Sequence, residues 1–129
     1  MARCIVVLDD EDEVRALWIE ALQGAGYHAE GFAVGADLLA RLPDLAPDLI
    51  LLDMLMPGMD GYEFLARLRA QPTASRVPLV ITSALGAALS ISIDERGADA
   101  MGVAAILAKP LHLPTQLDHV ERLVGPAAA

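Results

Sequence analysis

Asp9, Asp10, Asp53, Thr82, Ser83 and Lys109 are the residues of this chain whose types and spacing suit chemistry. Each falls at the end of a short apolar run: residues 4–8, 49–52, 79–81 and 104–107. If those runs end on one rim, three carboxylates meet there. They would repel strongly and call for a cation, and an all-oxygen donor set suits a hard octahedral ion such as Mg²⁺, with Mn²⁺ able to substitute. A carboxylate beside a lysine and a hydroxyl also suits phosphoryl transfer, which needs an in-line nucleophile and positive groups around the equatorial oxygens. Taken singly, each residue has an ordinary role: Asp53 in a turn before Pro57-Gly58, Lys109 as a surface cation, Ser83 as a helix cap. The acidic run Asp9–Glu13 has one too, as a solvated face. Only their joint placement points to a site.

The elements that must position them follow from the pattern of apolar residues. Continuous rather than alternating runs mark strands covered on both faces, as in parallel sheets. His28–Phe32 is a weaker strand, making five. Between strands, Val14, Leu17, Trp18, Ala21, Leu22 and Ala25 form one helical stripe that ends at Gly24 and Gly26. Leu38, Leu39 and Leu42 indicate a short helix stopped by Pro43, and Phe64, Leu65 and Leu68 one before Pro72. Leu113, Leu117, Val120 and Val124 define the last. Residues 87–101 read as helix, although Leu89–Ile93 alternates with a period of two. Strands alternating with helices imply an α/β sheet with right-handed crossovers and helices on both faces. In such sheets ligands bind beyond the carboxyl ends of the strands, which places all six residues on one rim.

The chain has 129 residues, the size of one domain, and no internal repeat or Ser/Gly-rich linker. Residues 1–124 form that domain, and 125–129 read as a frayed tail or the start of a cut linker. A net charge of −9, with nine scattered basic residues, argues against a nucleic-acid surface. Cys4, the only cysteine, reads as a buried and inert thiol. With no leader-like or membrane-spanning segment, the expected location is cytoplasmic. His28, His112 and His119 are isolated and read as surface or cap residues, and Trp18 as core.

At Val7-Leu8-Asp9-Asp10-Glu11, and more specifically at Asp48 to Gly61 (DLILLDMLMPGMDG), the sequence resembles the receiver domains of two-component signalling. The resemblance covers nearly the whole chain. It implies a flavodoxin-like, doubly wound sheet of strand order 2-1-3-4-5. It further implies that Asp53 accepts the phosphoryl group, and that Asp9, Asp10, Asp53 and the backbone carbonyl of Leu55 hold Mg²⁺. Lys109 would contact the phosphoryl group, and Ser83 rather than Thr82 would be the hydroxyl switch, leaving Thr82 directed into the sheet. The implied function is a phosphorylation-dependent binding module, not an enzyme. It would take its phosphoryl group from a sensor histidine kinase, a phosphotransfer protein or a small phosphodonor. It would act on an unknown downstream protein or a missing output domain.

The sequence departs from the family pattern where the signal would leave. Ile106 stands where an aromatic toggle is usual, Leu111 replaces the common aromatic after Lys-Pro, and the stretch from Ser83 to Lys109 is a few residues longer than usual. Leu55 and Leu85 flank the phosphoryl position with apolar groups that cannot orient water, so slow self-dephosphorylation is expected. A homodimer through 87–101, 104–107 and 113–124 is a further expectation. Two other readings compete. An aspartyl-phosphate phosphatase would want an acid two residues after its nucleophile, where this chain has Leu55. A pseudo-receiver signalling by contact alone would not need the intact acids and lysine.

Overall fold

The computed structural model describes residues 3–53, 61–74, 76–83, 103–108 and 113–125. Strands β1 (Cys4–Leu8), β2 (His28–Phe32), β3 (Leu49–Asp53), β4 (Leu79–Ser83) and β5 (Val103–Ala108) form one sheet of order β2-β1-β3-β4-β5. All neighbours pair in parallel. The expected fold class and strand order both hold. The described helices are α1 (Asp12–Gly24), α2 (Gly35–Leu45), α3 (Gly61–Ala70) and α4 (Leu113–Val124), with a 3-10 turn at Pro72–Ala74. The helix expected over 87–101 lies outside the described residues.

Strand alternation explains why the runs are apolar throughout. Val6, Leu8, Ile50, Leu52, Leu79 and Ile81 pack with Leu38 and Leu42 of α2 and Phe64, Leu65 and Leu68 of α3. Ile5, Val7, Leu49, Leu51 and Val80 pack with Trp18 and Leu22 of α1 and Val120 and Val124 of α4. β1, β3 and β4 therefore feed two cores, one per face, and β1 and β3 stay apolar from their first residue through Leu8 and Leu52.

Two sequence expectations need correction. Leu17 was placed on the buried stripe of α1 but is 48% exposed. Trp18 and Leu22, one turn apart, fill the space against the sheet, and Leu17 falls off that narrow face. Pro43 does not stop α2, which continues to Leu45. Proline removes one N–H, the donor to the Leu39 carbonyl, but its fixed φ is helical, so a last turn survives. The helix ends instead at Ala46, which takes left-handed dihedrals (φ 42°, ψ 61°) and donates its N–H to the Leu42 carbonyl at 3.1 Å.

Candidate functional site

The strand order reverses at β1, which has β2 on one side and β3 on the other, so a crevice opens beyond the carboxyl ends of β1 and β3. Leu8 pairs with Leu52, so Asp9 leaves β1 level with Asp53 at the end of β3, and Asp53 in turn pairs with Thr82. The three acids meet as the sequence implied. Asp9, Asp10 and Asp53 each offer a carboxylate oxygen within 4.8 Å of the other two. Asp9 is 1% and Asp53 3% exposed, while Asp10 is half-buried.

The magnitude of the repulsion decides what this cluster is for. A pair of unit charges 4.8 Å apart repels by about 3.5 kcal/mol at an effective dielectric of about 20, and the pairs here add in the same sense. Three hard oxygen donors fit a hard divalent cation, whose charge would reverse the sign of that sum.

Asp9 is held at three atoms. Its N–H donates to the Phe32 carbonyl at 3.0 Å, extending the β1–β2 pairing. Its Oδ1 accepts the Glu11 N–H at 2.9 Å, an Asx turn that leads the chain into α1. Its carbonyl accepts Arg15 Nη1 at 2.8 Å. Arg15 also pairs through Nη2 with Asp12 at 2.6 Å. Sequence reasoning missed Arg15. The signal was available: an arginine in the first turn of α1, three residues after Asp12.

Of the other expected site residues, Thr82 is buried, 2% exposed, as anticipated for a residue directed into the sheet. The backbone of Ser83 pairs with Ala108 at the end of β5. Lys109 and Leu55 lie outside the described residues. Cys4 is buried, and burial first, then the nearby Asp48 and Glu30 carboxylates, push its thiol above the usual range, as expected of an inert cysteine.

A family model for the response regulator receiver domain matches residues 5–121. The chain belongs to this family. As a receiver domain it is 33% identical over 120 residues to the response regulator receiver protein CpdR of Brucella abortus, covering 93% of this chain and 95% of that one. Among solved structures it is similar to the chemotaxis response regulator CheY4 of Vibrio cholerae, at 27% identity and a TM-score of 0.81. That match covers 95% of this chain and 99% of the other. It is also similar to the receiver domain of the sensor histidine kinase PA1611 of Pseudomonas aeruginosa, solved with a magnesium ion coordinated in its active site cleft. There the identity is 25%, the TM-score 0.78 and the coverage 97% and 99%. Other relatives are much longer; the receiver domain spans 36% of the phosphate regulon transcriptional regulatory protein PhoB of Rhizobium meliloti. Receiver domains are phosphorylation-dependent signalling modules of two-component systems. Among the described residues no helix is long and apolar enough to cross a membrane.

Proposed function

We propose that Asp53 accepts a phosphoryl group from a sensor histidine kinase, a phosphotransfer protein or a small phosphodonor, in the cytoplasm. The observation that carries this reading is the buried Asp53 at the end of β3 with Asp9 and Asp10 inside 4.8 Å. Asp9, Asp10, Asp53 and the Leu55 carbonyl are the residues that would hold Mg²⁺. When bound, the ion supplies positive charge against the oxygens of the transferring group. Asp53 is the nucleophile: its carboxylate oxygen bonds phosphorus as the donor's bond to phosphorus breaks, P–N in a phosphohistidine or P–O in acetyl phosphate, and the electron pair leaves with the imidazole nitrogen or the acetate oxygen. Lys109 would neutralise the remaining phosphoryl oxygens, and Ser83 would bond one of them afterwards. The added charge biases a two-state partner-binding face toward a downstream protein or an output domain.

The test is incubation with Mg²⁺ and acetyl phosphate, beside Asp53→Asn, read by intact mass. One phosphoryl adduct that needs both Mg²⁺ and Asp53 is expected. No adduct in the wild type, with no response of Trp18 fluorescence to a beryllofluoride mimic, would favour a receiver that signals by contact alone.

Self-dephosphorylation is slow in this reading, because the apolar Leu55 and Leu85 cannot orient water. Leu85→Glu is expected to shorten the lifetime of the phosphorylated form severalfold, followed by loss of the adduct over time. Homodimerisation through 87–101, 104–107 and 113–124 is a finer expectation, tested by sedimentation with and without the mimic.

A further inference from the structure

We propose that Arg15 is the positioning residue of the metal-holding loop and that Gly31 is a glycine so that Arg15 reaches it. The inference rests on reading Asp9, Asp10 and Asp53 as a cation site.

Two of the bonds that fix Asp9 are local or part of the sheet: the Asx turn to Glu11 and the strand bond to Phe32. A third arrives from one turn into α1, where the guanidinium of Arg15 spans from the Asp9 carbonyl to the Asp12 carboxylate. The Asp12 arm is weak, because that carboxylate is 85% exposed and screened by water. The Asp9 arm is part-buried and is the one that fixes geometry. By bonding the main chain rather than the carboxylates, Arg15 steadies the loop without occupying the oxygens a cation needs.

The stem of Arg15 lies across β2. A Cβ placed on Gly31 would stand 3.1 Å from Arg15 Cδ, 3.2 Å from Cγ and 3.4 Å from Ile19 Cδ1. Gly31 lacks the left-handed backbone that would otherwise explain a glycine, since the described glycines with positive φ are Gly26 and Gly125. A glycine inside a strand weakens it and often marks a close approach. Here the close approach is the side chain that runs to Asp9.

A competing account makes Arg15 a mere counter-charge to the acids, and the two accounts differ in sign. A counter-charge competes with Mg²⁺, so its loss tightens metal binding. A positioning residue pre-arranges the loop, so its loss weakens it.

The experiment compares Arg15→Lys, which keeps the charge but loses the fork, with Arg15→Ala, Gly31→Ala and the Arg15→Ala/Gly31→Ala double variant. Urea melts check folding. Exchange of the Glu11 amide is followed in metal-free protein, and Mg²⁺ affinity by calorimetry. Both Arg15 variants are expected to bind Mg²⁺ about tenfold more weakly, the scale typical of groups that orient metal ligands, and to exchange the Glu11 amide faster. Gly31→Ala is expected to act in the same direction but less, and to add nothing once the Arg15 stem is gone. Wild-type behaviour of Arg15→Lys together with tighter binding in Arg15→Ala would overturn the proposal. An equal effect of Gly31→Ala with and without the stem would overturn the role of Gly31. If the wild type binds no Mg²⁺ the cation reading itself falls, and Glu11 exchange unchanged in both Arg15 variants would then overturn Arg15 as a positioning residue as well.

Discussion

The two rims of the sheet are built on opposite principles. At the carboxyl rim, Asp9, Asp10 and Asp53 crowd like charges within 4.8 Å. At the amino rim, hydrogen bonds tie neighbouring segments together. The Cys4 N–H donates to Asp48 Oδ2 at 2.8 Å while the Asp48 N–H returns a bond to the Cys4 carbonyl at 2.8 Å. The Tyr27 hydroxyl donates to the Gly125 carbonyl at 2.8 Å, and the His28 N–H to the Arg3 carbonyl. One rim holds the fold together, and the other carries a repulsion that the fold must tolerate until a ligand relieves it. Strained, like-charged groups gathered at a functional site are the usual trade of stability for chemistry.

The comparison yields tests in descending size. Asp53→Asn is expected to abolish the phosphoryl adduct, and also to stabilise the metal-free protein by about 2 to 3 kcal/mol by removing one member of the repelling set. A urea melt that shows destabilisation instead would mean that the acids are not in net conflict. Mg²⁺ at a hundred times its dissociation constant is expected to stabilise the wild type by about 2.7 kcal/mol, and Asp53→Asn by much less, as read from thermal shifts. At the other rim, Asp48→Ala leaves the Cys4 N–H without its acceptor and is expected to cost about 1 to 2 kcal/mol with Mg²⁺ affinity unchanged.

The smallest effect belongs to Tyr27. Burial first, and then the Glu121 carboxylate, raise its hydroxyl above the usual phenol range, with Arg3 pulling the other way. A raised value means that the folded state holds this proton more tightly than the unfolded chain does. The contribution is therefore complete below about pH 10, the unfolded value, and is lost as pH rises through the higher folded one. Tyr27→Phe is expected to cost about 1 kcal/mol near neutral pH and to flatten the alkaline fall in stability. An unchanged alkaline profile would assign that fall to other groups.

Much of this was legible in the residues themselves, for physical reasons that differ by element. β1, β3 and β4 announce themselves because burial on both faces keeps them apolar up to their last one or two residues, and the acids stand out because they follow such runs. β2 is weaker because as an edge strand it buries Ala29 but exposes His28 and Gly31. Strand order is not written in any local pattern, and came from the resemblance to the receiver family. The end of α2 was misread because a proline is the strongest local stop signal, while the left-handed Ala46 carries no signal of its own. Leu17 was misread because an apolar side chain on a helix says nothing about how wide the covered face is. Arg15 was missed because, although its i,i+3 spacing from Asp12 could be read, the partner that gives it a role is a main-chain carbonyl, which every residue has.

The contact between Tyr27 and Gly125 has a consequence for how information moves. It moors the chain just past α4 to the rim opposite the acids, and a five-residue strand separates the two rims by about 16 Å. Ionic screening at physiological salt acts over about 8 Å, so through solvent any charge added at the acids would scarcely be felt at Gly125. Whatever reaches that mooring from the acids travels as displacement of packed strands and helices, the way a lever transmits a push.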